Sequence, residues 1–331
     1  MHGSLETMPF TPARWLPGGH AQTIWAALFA ARGTAPPLTR ERWDTPDGDF
    51  IDVDFLAAPS GRTEATLLVM FHGLEGSSSS HYAQAFAIDA AEQGTAFALP
   101  HFRGCSGEVN RLPRAYHSGD FEEIDWVLRR LRARHAGPLL AVGVSLGGNA
   151  LMRWAGEFGA SAAPVVDAVA SICAPLDLAP CGHAIGRGFG RLVYTRMFLQ
   201  TMKPRALERL ALHPGLFDRE QLLAARTLWE FDNVFTAPLH GFRDADDYWV
   251  RASALPLLGQ VRVPALVLNA RNDPFVPASS LPRADQVSSS VTLWQPENGG
   301  HVGFTAGAPP GHLRALPHAV GGFLRQHIAH G

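Results

Sequence analysis

Cysteine is scarce in this chain. Cys105, Cys173 and Cys181 are the only three, and no two form a CxxC pair. An odd, sparse set builds no disulfide framework and fits a reducing compartment, so a cytoplasmic location is expected. Charge of one sign is lacking too: Lys and Arg number 28 against 30 Asp and Glu, a formal net charge of −2. Nothing in that balance favours a nucleic acid or an anionic membrane as partner. No apolar run approaches the ~20 residues of a transmembrane segment. The opening "MHGSLETMPFTPARWLPGGH" has no basic region leading into an apolar core, so no secretion signal is expected. There is no internal repeat and no long low-complexity tract. Metal-ligand spacing of the H-E-x-x-H or Cys/His kind is missing, and no metal is expected. "GRGFGR" (186–191) has spaced glycines but no G-x-G-x-x-G and no strand before it. It is not a dinucleotide site, and no cofactor is expected.

The chain does have enough apolar material for a large core. Hydrophobic residues make up 46% of 331 and charged ones 18%, which suits one large α/β domain or two small ones. Residues 1–38, rich in Pro, Gly and Trp, read as an N-terminal segment packed on that domain. In "FIDVDFL", Ile51, Val53 and Phe55 alternate with Asp52 and Asp54, the period of a strand with one wet face. The "PDGD" before it predicts a hairpin, so the sheet begins antiparallel. The pattern then changes to continuous apolar strands and amphipathic helices in alternation. Strands are predicted at 65–73, 95–104, 138–145 and 165–175, and helices at 81–94, 119–135 and 147–158. Such alternation calls for a mostly parallel central sheet with helices on both faces. Residues 176–257 break the rhythm with helical, irregular sequence and read as a helical cap insertion. Strands resume at 264–273 and 290–297, and a last helix falls near 311–328. The core domain is thus 1–175 together with 258–331.

Gly143-Val144-Ser145-Leu146-Gly147 is the one G-x-S-x-G of the chain. It falls where an apolar strand gives way to a helix, the setting a nucleophile elbow requires. The competing reading is a plain strand-to-helix turn with a capping serine. A serine hydroxyl needs a base. Among 15 histidines, His301 in "NGGHVGF" follows the last predicted strand and opens at the same sheet edge as Ser145. His312, His318, His327 and His330 belong in or near the terminal helix and read as surface residues. Asp273 in "ARNDPFVP" directly follows an apolar strand and suits the orienting acid. Asp177 in "CAPLDL" is its rival, and Asp273 is preferred. For the oxyanion, the backbone amides of Leu146 and Leu74 are the expected donors. Leu74 lies in "FHGLEGSSSSHY", where Gly73 and Gly76 let the backbone come close.

At these residues the sequence resembles the α/β-hydrolase superfamily, and within it the YheT-like group that includes the embryogenesis-associated plant proteins. The matching stretches are "GGHAQTIW" (18–25), "FHGLEGSSSSHY" (71–82), "HFRGCSG" (101–107), "YHSGDFEEIDWVL" (116–128), "GVSLGGN" (143–149), "EFDNVFTAPLHGF" (230–242), "ARNDPFVP" (270–277) and "NGGHVGF" (298–304). The resemblance implies an α/β-hydrolase fold and a Ser–Asp–His esterase or lipase acting on small acyl esters, with its triad on Ser145, Asp273 and His301.

Several residues invite over-reading. Phe189, Leu192, Val193, Phe198, Leu199 and Met202 are candidates for an acyl pocket, and core packing is the preferred reading. Arg103 and Asp120 read as loop supports and Cys173 as an inert core residue. His20 either touches the site or anchors the N-terminal segment. The same triad serves acyl transfer to an alcohol as well as hydrolysis. A non-catalytic binding protein on this fold would be expected to lack a triad member, and none is missing here.

Overall fold

The apolar stretches become the strands of one eight-stranded sheet in this computed structural model, which describes residues 10–58 and 64–328. His330 and the first nine residues of the N-terminal segment lie outside the described residues. The chain enters through α1 (Gly19–Leu28) and forms β1 (Thr39–Asp44) and β2 (Phe50–Leu56). It continues through β3 (Leu67–Phe71), α2 (His81–Glu92), β4 (Ala96–Pro100), α3 (Phe121–Arg134), β5 (Leu139–Val144), α4 (Leu146–Phe158) and β6 (Ala168–Ile172). The sheet order is β1-β2-β4-β3-β5-β6, ending in β7 (Ala265–Leu268) and β8 (Val291–Trp294), and the last helix is α12 (Ala315–Arg325). β1 pairs antiparallel with β2, and β2 with β4; every later pairing is parallel.

Side chains alternate across a strand, so a sheet covered on both faces has two cores. Val69 and Phe71 of β3 join one core with Ile124 and Leu128 of α3 and Leu151 and Trp154 of α4. Leu68 and Met70 join the other with Phe86 of α2 and Val320 of α12. This double burial explains why β3 and β5 carry no polar alternation.

β2 differs from its expected wet face. Asp52 and Asp54 are both buried. The antiparallel register sets Arg42 opposite Asp52 and Arg40 opposite Asp54. Two-point Arg–carboxylate bonds follow, at 2.8 and 2.9 Å for Asp52 and 2.7 and 2.9 Å for Asp54. His101 adds a bond to Asp54 at 2.8 Å. The carboxylates are covered by arginine partners instead of water, which periodicity alone does not reveal.

Between β6 and β7 the chain is helical: α5 (Leu178–Ile185), α6 (Gly188–Gly190), a π turn over Arg191–Thr195, α7 (Arg196–Leu212), α8 (Arg219–Ala224), α9 (Leu228–Val234), α10 (Thr236–Leu239) and α11 (Ala245–Ala252). These helices have small cores of their own, one around Leu199, Leu222 and Phe231 and another around Tyr248 and Trp249. Leu199 is buried as core, whereas Phe189 and Leu192 are 49% and 66% exposed and Val193 also lies at the surface. The preferred core reading therefore fails for those three: Leu192 and Val193 sit at the surface of the π turn, and Phe189 at the surface of the short α6 before it. No helix among the described residues is long and apolar enough to cross a membrane.

Candidate active site

The ends of β3, β5, β7 and β8 meet at the carboxyl edge of the sheet, where open α/β sheets bind ligands. Ser145 stands between β5 and α4 with φ 53° and ψ −118°, a left-handed conformation that is costly for a residue with a side chain. The turn is held by Ser145 N–H donating to Ile172 O at 2.8 Å, and by Gly148 and Asn149 amides donating to Ser145 O. A Cβ on Gly143 would strike the backbone of Gly147, and one on Gly147 the backbone of Phe71 and His72. The two glycines of G-x-S-x-G are therefore required by close approach.

His301 Nε2 lies 3.1 Å from Ser145 Oγ, and His301 Nδ1 lies 2.9 Å from Asp273 Oδ2. A carboxylate oxygen accepts, so the tautomer with its proton on Nδ1 satisfies this bond and leaves Nε2 free to accept the serine hydroxyl. Asp273 Oδ1 accepts the Phe275 amide at 2.7 Å and the Val276 amide at 3.3 Å. These bonds fix the carboxylate on the loop after β7. Asp177, the rival acid, instead precedes α5 and forms no hydrogen bond to His301. Burial raises its carboxyl above the ordinary range, partly offset by the Ala179 amide.

The two amides proposed as oxyanion donors have no protein acceptor among the described residues. Leu146 opens α4, and first-turn amides have no carbonyl one turn back. In the β3–α2 loop, the Gly73 amide donates to Tyr82 Oη at 2.9 Å, Glu75 to Tyr116 Oη at 3.0 Å and Gly76 to Gly73 O at 2.9 Å. Leu74 is the one left unengaged among these neighbours. The loop also comes close to the serine: a Cβ on Gly73 would stand 3.2 Å from Ser145 Cβ. His72 beneath it is fully buried, with Nδ1 donating to Gly73 O at 2.8 Å and Nε2 accepting the Phe102 amide at 3.1 Å. Burial pushes its pKa down to about 3.

The loop carrying His301 is tied to α1. Thr23 Oγ1 accepts the His301 amide at 2.8 Å and donates to Gly19 O at 2.7 Å. Gln22 Oε1 accepts the Gly299 amide and Asn272 Nδ2, both at 2.9 Å, while Asn272 Oδ1 accepts the Gly300 amide at 3.0 Å. Gln22 and Asn272 thus couple the His301 loop to the loop that carries Asp273. Sequence reasoning assigned no role to Gln22 or Thr23, although both lie in the quoted "GGHAQTIW". Asn149, in the quoted "GVSLGGN", was missed as well. It is fully buried, and its side chain bonds Ser118 and Ala252 carbonyls and the Ala254 amide. His20 bonds Tyr194 Oη at 2.9 Å and packs on Phe189, so it links α1 to the helical segment and does not contact the serine. Arg103 bonds Asp47, Asp49 and Glu123, and Asp120 bonds Arg114; both support the β4–α3 loop.

Donor atoms of Cys173, Asp273 and His301 lie within 4.8 Å of one another. Asp273 and His301 already satisfy each other, and burial holds the Cys173 thiol well above its ordinary pKa. A metal there would have to break that bond and ionise that thiol.

A cavity of about 480 Å³ opens from Ser145 and His301. Its walls come from the β3–α2 and β4–α3 loops and from α7, α9 and α11. Of the apolar candidates named from sequence, Phe198 and Met202 line it.

Comparison with known proteins agrees with this architecture. A family model described as alpha/beta hydrolase fold matches residues 66–308. The chain is 39% identical to YheT of Escherichia coli over 90% of this chain and 87% of that protein. It is 27% identical to phospholipase ABHD3 of Mus musculus, over 100% of this chain and 81% of the relative. Among solved structures, Est1E from Butyrivibrio proteoclasticus with ferulic acid bound superposes with a TM-score of 0.55 at 15% identity, covering 87% of this chain and 98% of that one; at that identity the likeness speaks for the fold alone. The chain belongs to the alpha/beta hydrolase fold family and, within it, to the YheT-like group.

Proposed function

We propose that this protein is a serine hydrolase that cleaves carboxylic esters of small molecules through an acyl-enzyme. The observation that carries the reading is the continuous hydrogen-bonded chain Ser145–His301–Asp273 at a strained serine opening into a cavity. His301 takes the Ser145 proton as Oγ attacks the ester carbonyl, and the tetrahedral oxyanion is met by the Leu146 and Leu74 amides. Collapse expels the alcohol, which receives the proton from His301. Water, deprotonated by the same imidazole, then attacks the acyl-enzyme, and the acid leaves. Asp273 keeps the imidazole in the required tautomer and supports its transient positive charge.

We further propose that residues 176–257 act as a helical cap over a core formed by 1–175 and 258–331. Support comes from the lining of the cavity, which joins Ser145 and His301 to Phe198, Met202 and Phe231 of that segment. A relative bearing the name phospholipase fits ester chemistry.

The test is a panel of p-nitrophenyl acyl esters of graded chain length, run on wild type and Ser145→Ala. Hydrolysis that is lost in the variant, with the fold retained, is the expected result. Unchanged hydrolysis in Ser145→Ala contradicts the mechanism, and no turnover of any ester by wild type favours a binding protein.

A further inference from the structure

One wall of the cavity is α7, whose Arg205 and Arg209 both line it. Spaced four residues apart, they share one helix face. Their electrostatic situations differ. Arg205 Nη1 lies 3.0 Å from Glu75 Oε2 and 3.5 Å from Cys105 Sγ. Arg103, on the opposite loop, is bonded by three carboxylates. Arg209 is only 5% exposed, yet its guanidinium has no ion pair and no hydrogen-bond acceptor among the described residues, and its Nε is sealed without a partner. Its Nη2 lies 3.6 Å from the point a Cβ on Gly104 would occupy.

The nearby acids are already committed. Asp49 favours the Arg209 cation through space, but its oxygens accept from Arg103, Asn110 and the amides of Phe50 and Arg111. Within the cavity lining, Glu75 pairs with Arg205, and Asp232 is bonded by Thr236 and Trp249. Glu108 and Glu208 are exposed at the surface, and Glu108 pairs with Arg42. Burial lowers the Arg209 pKa, but a guanidinium stays charged at any working pH. Buried cations are costly and are almost always paired. A planar guanidinium facing a cavity matches one class of ligand best, a phosphate or carboxylate held by two parallel bonds. Apolar neighbours on the same wall, Phe198 and Met202, leave room for an acyl chain.

We propose that Arg209 is an anion subsite, and that the ester attacked by Ser145 carries a phosphate or carboxylate group away from the scissile bond. This deepens the hydrolase reading and rests on it.

Three butyrate esters of equal acyl length test the idea: glycerol monobutyrate (neutral), 1-butyryl-glycerol 3-phosphate and 3-(butyryloxy)propanoate. Wild type should give a higher kcat/KM for at least one anionic ester than for the neutral one. In Arg209→Gln that preference should fall about tenfold or more, and Arg209→Lys should restore part of it. Which anionic ester is favoured distinguishes phosphate from carboxylate. No anionic preference in wild type, or a preference untouched by Arg209→Gln, overturns the proposal. A binding arm separates it from the hydrolase reading. Calorimetry on folded Ser145→Ala should show glycerol 3-phosphate or 3-hydroxypropanoate binding, and the double variant Ser145→Ala/Arg209→Gln should lose it. If no ester is turned over but this Arg209-dependent binding persists, the subsite stands and the hydrolase reading fails. Absence of binding by both anions overturns the subsite.

Discussion

The Phe275 ring lies stacked on the His301 imidazole, with centroids 4.0 Å apart and planes at 22°. Phe275 follows Asp273 by two residues and donates its amide to Asp273 Oδ1. A single turn after β7 therefore supplies both the acid that orients the imidazole edge and the ring that supports its face. Phe275→Leu keeps bulk but removes the stacking surface. The expected result is a fall in kcat of roughly 3- to 10-fold with KM little changed, the size of one aromatic pair, and Phe275→Tyr should retain activity. Steady-state kinetics on a p-nitrophenyl ester, with a melting curve to check folding, measures both.

Thr23 is the link between α1 and the His301 amide. Thr23→Val preserves shape and leaves that buried N–H without an acceptor, which costs about 1–3 kcal/mol. A lower midpoint in chemical denaturation and reduced kcat are expected, while Thr23→Ser, which keeps the hydroxyl, should stay close to wild type in both. Equal stability of Thr23→Val and wild type would contradict the assigned role.

The choice between acids is open to a paired comparison. Asp273→Asn should lower kcat by several orders of magnitude, as expected when the imidazole takes the wrong tautomer. Asp177→Asn should remain within a few-fold of wild type, since Asp177 forms no bond to His301. The reverse ordering would reassign the acid.

His72 makes stability depend on pH on the acid side. Its folded pKa is pushed down to about 3 by burial, while an unfolded histidine titrates near ~6.5. Between those values the unfolded chain binds a proton that the folded chain refuses, so stability rises with pH across that window and is lost as pH falls through it. Urea denaturation at pH 7, 6, 5 and 4 should show a declining ΔG of unfolding. His72→Gln, whatever its absolute stability, should show a shallower decline. An unchanged slope would mean that His72 is protonated in the fold.

The alternation of apolar strand and helix made the sheet and its covering helices readable, because parallel strands buried on both faces need unbroken apolar runs such as Leu67–Phe71. It also put Ser145, Asp273 and His301 after strands that end at one edge, and the structure brings them within hydrogen-bond distance. Three things were not readable. Asp52 and Asp54 look solvated in a one-strand pattern, and only pairing with β1 supplies Arg42 and Arg40. Gln22 and Thr23 act on loops more than 240 residues away, and nothing in local propensity encodes a contact at that separation. Leu192 and Val193 resemble core, yet the π turn that carries them leaves them at the surface.

The proposed hydrolysis depends above all on Ser145 as the nucleophile. Labelling with a fluorophosphonate, followed by peptide mass spectrometry, tests it without knowledge of the substrate. One adduct is expected, on the peptide containing Ser145, formed by wild type, abolished in folded Ser145→Ala and strongly slowed in His301→Gln. An adduct on another residue, or a folded wild type that resists the reagent, would contradict it.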